Sequence, residues 1–232
     1  MRAAFVGLFV APLVALLTSS PVHAIGDTTA LLNLQEECAQ VGDISFGSSG
    51  RWADCQVTRG RWISTIDLID MYQTQYCLGS GQGTCEQRAL LLFGNRAYTP
   101  GAKLLFQRID PATVTYDDPL VVKNDYGYLL TVSTRLADGD QSNNYFLWQA
   151  RQWIPVNSQG WLKDLAKRLP AGVAARKGGW PSMDTMSAKV RLYHKGDADC
   201  CASAGVANVE LRLTQKRLSL TKVTFSNEAA SE

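Results

Sequence analysis

Apolar positions along the chain change their period near residue 88. Upstream, Ala30, Leu31, Leu34, Cys38 and Val41 recur at helical spacing, with Asp27 or Thr28 able to cap the start and Gly42 to end it. In RWADCQVTRGRWIST (51–65), alternating Trp52, Cys55 and Val57 predict a hairpin that turns at Arg59-Gly60, with Trp62 opening the return strand. Ser64 and Thr65 cap a second predicted helix, TIDLIDMYQTQYCLG (65–79). Its Ile66, Ile69 and Tyr76 form an apolar face, and Leu68, Met71 and Tyr72 add bulk beside it. GSGQGT, between Cys77 and Cys85, is a flexible loop.

From Arg88 the runs shorten and favour strands: RALLLFGN, AKLLFQRI, TVTYDD, PLVVKND, YGYLLTVSTR and NNYFLWQARQWIPV, separated by TPG, DPA, NDYG and ADGDQSNN. One helix interrupts near 158–169. Asn157 or Ser158 caps it, Trp161, Leu162, Leu165 and Leu169 form its stripe, and Pro170 stops it. Residues 171–187 read as loop, and AKVRLYHKG, ANVELRLTQ and LSLTKVTF as closing strands before a polar tail (228–232). The expected fold is α+β: a mainly antiparallel β-domain with one crossing helix (88–227), preceded by a small disulfide-pinned helix–hairpin–helix region (25–87).

The first 24 residues change the chemical reading. Arg2 is a short positive n-region, Phe5 to Leu17 an apolar core, and Val22-His23-Ala24 a small-residue cleavage pattern. Pro12 and Pro21 and the short run argue against a bilayer span, which needs about 20 apolar residues. The mature chain is therefore expected from Ile25, soluble, without a membrane span, and periplasmic or secreted. Losing Arg2 leaves 22 of the 23 basic residues against 21 acidic ones, a net charge of +1. That balance points away from nucleic acid and anionic membranes as partners.

Export makes the six cysteines a disulfide framework before anything else. There is no CxxC pair for thiol exchange or haem attachment, and no two close thiolate pairs for structural zinc. Local spacing suggests Cys38–Cys55 and Cys77–Cys85, leaving Cys200 with Cys201. In the competing reading, an extended backbone sends Cys200 and Cys201 to opposite faces and to different partners. With His23 removed, His194 is the only histidine, so a multi-imidazole zinc site cannot be built. No GxSxG or HExxH accompanies it, and a strand-end surface role is the ordinary explanation.

Other candidates rest on loops. Asp138, Asp140, Ser142 and Asn144 alternate as calcium ligands do, but Asn143 stands where an EF-hand needs glycine and Gln149 where it needs glutamate. A hairpin turn explains the same letters, so no cofactor is expected, with calcium the one alternative. Asp197 and Asp199 repeat the pattern more weakly. Trp180, in KGGWPSMD, lies outside any periodic element and serves either as loop anchor or as ligand contact. Asp67, Asp70, Glu86, Asp117 and Asp118 are acids, with nothing to mark two of them as an opposed hydrolytic pair.

The stretch from NNYFLWQARQWIPV through KRLPAG to GDADCCASAGVANVELRL covers about a third of the chain. It resembles uncharacterised exported bacterial proteins in which an Asp-x-Asx-Cys-Cys turn separates two late strands. Here ASAG follows the cysteines, where that pattern has proline and paired glycines. The resemblance implies export and a β-rich fold and carries no catalytic residue. The expected function is a non-enzymatic binding protein for an envelope or extracellular protein or glycan. The alternatives are a carboxylate hydrolase of the envelope and an inhibitor or immunity protein against an exported toxin.

Overall fold

A computed structural model describes residues 54–81, 83–96, 102–176 and 179–227. There the chain is mostly antiparallel β-sheet with one short helix. The expected signal segment, the expected first helix and Cys38 lie outside the described residues, as does the tail from 228.

Two sequence expectations are corrected at the start. Strand β1 (Asp54–Ile66) runs straight through Arg59-Gly60, absorbing irregularities at Val57/Arg59 and Trp62/Ser64 as bulges rather than turning. The segment expected as a second helix is the end of β1, a turn at Asp67-Leu68, and β2 (Ile69–Gly79). Asp67 and Leu68 both take left-handed backbone, φ 48° and 64°, as a two-residue hairpin of matching twist requires. Branched and aromatic Ile66, Ile69, Tyr72 and Tyr76 also pack better on a pleat than in a helix. β2 then pairs with β3 (Gln87–Arg96), from Ile69↔Arg96 to Leu78↔Gln87, so the boundary expected at 87 falls inside a continuous sheet.

The first sheet is completed by β4 (Ala102–Pro111), in the order β1-β2-β3-β4. A second sheet contains β5 (Val114–Tyr116), β6 (Leu120–Asn124), β7 (Gly127–Leu136), β8 (Gln141–Gln149) and β9 (Gln152–Val156). Its order is β5-β7-β8-β9, with β6 also on β7. NNYFLWQARQWIPV is thus two strands, turned at Ala150-Arg151. The third sheet runs β10-β11-β12-β13, from Val173–Ala175, Ser187–His194, Val206–Thr214 and Arg217–Ser226. Helix α1 (Gly160–Ala166) is shorter than expected and packs on β13. No helix among the described residues is long and apolar enough to cross a membrane.

The strand period of two sorts side chains into layers. On β8, Tyr145 and Leu147 join the cluster of α1 and the third sheet, with Trp161, Leu165, Leu192, Val209 and Leu218. Phe146 and Trp148 join the opposite cluster, which holds Ile66, Met71, Leu90 and Leu92 of the first sheet. β7 divides likewise, with Leu129 on one side and Leu130 and Val132 on the other. The second sheet is therefore the middle layer, and Phe106 meets Phe146 edge-on at 4.9 Å across one seam. That seam is closed by polar contacts as well. Asp118 accepts from Arg59 Nη2 and Gln73 Nε2 at 2.6 Å each and pairs with Arg61 at 2.8 Å.

Candidate functional site

Where the second and third sheets meet, an open cleft of about 440 Å³ lies between the β7–β8 turn, the start of α1, Arg176 and residues 179–181. That is within the usual size of a ligand site, about 300–1,000 Å³. Tyr145 and Trp161 line it, both nearly fully buried at 2% and 1% exposure, and the Trp161 indole N–H has no hydrogen-bond partner. Half-buried Trp180 stands in the wall, while Asp140, Ser142 and Arg176 supply polar groups.

The backbone on either side of Trp180 is fixed by its neighbours. Gly179 takes φ +79° and presses on β11 so closely that a Cβ would meet Val190 Cγ2 at 2.8 Å. The carbonyl of buried Pro181 accepts from the Tyr145 hydroxyl at 3.2 Å, and that of Met183 from Asn124 Nδ2 at 2.7 Å. Residues 179, 181 and 183 thus anchor the loop that carries Trp180. Burial pushes the Tyr145 hydroxyl up to about 12, so it stays protonated as a donor.

Arg176 connects the cleft to the adjacent cysteines. Its Nη1 donates to the backbone oxygen of Asp197 at 2.8 Å and to Asp199 Oδ1 at 2.7 Å, and its guanidinium lies 4.7 Å from the Tyr193 ring centre. Cys200 and Cys201 are bonded to each other, with Cα atoms 3.8 Å apart, in the exposed connection between β11 and β12. Cys77 is bonded to Cys85 across the glycine loop, and Cys55 is also disulfide-bonded.

No protein-family model, curated protein or solved structure matches this chain.

The candidate residues separate accordingly. Trp180, Asp140 and Ser142 converge on the cleft. Asp199 reaches it through Arg176, and Asp197 is occupied in its own turn. Asp197 Oδ2 accepts from the backbone N–H of His194 at 2.7 Å and of Ser203 at 3.0 Å, and the Ser203 hydroxyl donates to the same carboxylate at 2.8 Å. The hydroxyl chiefly, opposed by desolvation and helped by the two amides and the His194 charge, holds this carboxyl below its ordinary range. His194 itself is exposed.

The residues of the calcium pattern lie in the β7–β8 turn and the strand that follows it. Asp138 accepts from the Asp140 amide at 3.0 Å, closing the hairpin turn. Ser142 and Asn144 lie in extended β8, where alternate residues are about 6.6 Å apart and do not curl around one ion. Among the described residues no cluster of His, Cys, Asp and Glu is placed to hold a metal. Sequence reasoning missed Arg176, in what read as featureless loop, and treated Tyr145 and Trp161 as core alone.

Proposed function

We propose that this is an exported, disulfide-stabilised, non-enzymatic binding protein whose contact site for an envelope or extracellular partner is the Trp180 cleft. The observation that carries the reading is a half-exposed tryptophan fixed from both sides in a mixed aromatic and polar cleft. A tryptophan on a backbone already fixed at both neighbours needs little loop ordering on binding, and aromatic anchors dominate contact energy at interfaces. The hydrolase alternative has less behind it. Sugar hydrolysis uses two carboxylates flanking the bond, and among the described residues the cleft lining contains one, Asp140.

The test is retention of partners from envelope extract on the immobilised mature, oxidised protein. Trp180→Ala should abolish specific retention, while Trp62→Ala, at an exposed tryptophan elsewhere, should not. Equal retention by wild type and Trp180→Ala removes the cleft as the site. Turnover of a hydrolase substrate panel that disappears in Asp140→Asn would replace the binding reading with the enzymatic one.

A further inference from the structure

We infer that the cleft receives an extended peptide segment, which pairs as an added strand with the open edge of β8 over Gln141–Asn144. This rests on the binding reading above and names the partner's chemistry. β9 accompanies β8 only from Gln149↔Gln152 to Tyr145↔Val156. At Asn157 the chain leaves for β13, where the Asn157 amide donates to Lys216 O at 2.8 Å and Asn157 O accepts from the Leu218 amide at 2.9 Å. From Gln141 to Asn144, β8 therefore has β7 on one side and no strand among the described residues on the other.

The direction of the backbone groups follows from the ladder. The Leu136 amide donates to Asp140 O at 2.8 Å, which marks Leu136 and Asp140 as a hydrogen-bonded pair. Such pairs alternate along an antiparallel strand. Ser142 and Asn144 thus turn their N–H and C=O toward β7, while Gln141 and Asn143 turn theirs to the open side. Consistently, the Thr134 hydroxyl of β7 donates to Ser142 O at 3.3 Å. Gln141 and Ser142 project to opposite faces of the sheet, yet both line the cleft, so the cleft wraps the strand's edge rather than one face.

An open edge beside an aromatic pocket suits an extended peptide: ladder hydrogen bonds hold the main chain and the pocket selects one side chain. Trp180, Tyr145 and Trp161 make that pocket. The three aromatic rings suit an uncharged, apolar side chain, and the Arg176 charge is already met by Asp199. A saccharide would use the aromatic rings but has no amide ladder to match the strand spacing of Gln141 and Asn143.

A random-peptide display library, panned on the mature oxidised protein, supplies the probes, and enriched sequences are then titrated as capped synthetic peptides. Enrichment of alternating apolar sequences is expected, with affinity falling at least about tenfold in Trp180→Ala. Asn143→Pro removes an N–H that faces the open side and spares the β7 ladder, so it should weaken binding comparably while the circular dichroism spectrum is kept. Peptides N-methylated at alternate positions should lose binding to the unmodified protein, which covers the case in which Asn143→Pro misfolds. Peptide binding that ignores both Asn143→Pro and N-methylation overturns strand addition. Trp180-dependent binding of chitobiose or maltose without any peptide binding overturns the peptide and leaves the cleft. Peptide binding indifferent to Trp180→Ala overturns the cleft itself.

Discussion

Gly179 combines φ +79° with a hydrogen in the place where any side chain would strike Val190. Gly179→Ala should therefore cost about 1–3 kcal/mol and move Trp180, read as a lower melting temperature and a shifted indole emission. Unchanged emission would mean that Trp180 is positioned by something else. Asp197 makes a pH prediction. Its folded pKa is depressed, so its stabilisation is complete above the unfolded carboxylate value of about 3.9 and is lost as pH falls through the lower folded value. Hydrogen exchange at the Ser203 amide should stay slow down to that range and rise below it. A rise well above that range would mean that the Asp197 carboxylate does not hold the turn. At this scale the sequence pointed to Trp180, Asp140 and Ser142 because a lone tryptophan and a run of oxygen side chains are visible without a fold. Arg176 carried no such signal, since its partners Tyr193, Asp197 and Asp199 are distant in sequence.

Three tight hairpins share one unusual feature: non-glycine residues at both central positions, all in left-handed backbone. These are Asp67-Leu68, Ala150-Arg151 and Gln215-Lys216. Asn-Gly or Asp-Gly would have announced such turns. Without that signal Asp67-Leu68 read as helix interior, and Ala150-Arg151 vanished inside one long strand. Buried Gln73, Thr74 and Gln75 added to the error, because they break the alternation that identifies β2. Where turn chemistry is ordinary, as at Asp138-Gly139, strand limits were legible to within a few residues. Replacing exposed Ala150-Arg151 with Asn-Gly should stabilise the protein by about 0.5–1 kcal/mol through relief of the left-handed positions, measured by denaturant midpoint. Destabilisation would mean that those side chains make contacts worth more than the backbone cost.

Across the whole molecule, the middle sheet joins the other two, and its two faces use different chemistry. Between the first and second sheets a polar joint at Asp118 lies beside an apolar seam through Leu130 and Leu92. Asp118→Ala leaves buried Gln73 without its acceptor and should cost about 1–3 kcal/mol. Leu130→Ala should cost about 2–5 kcal/mol. The apolar seam is therefore the stronger joint, and urea melts of both variants should rank them so. The other face opens at the Trp180 cleft, and the central claim is that partners bind there. The most direct measurement is the nitrogen-15 indole spectrum of the mature oxidised protein during titration with display-selected peptides. Shifts are expected at the Trp180 and Trp161 indoles, with Trp62 unmoved. Saturable binding that leaves Trp180 and Trp161 in place would contradict it.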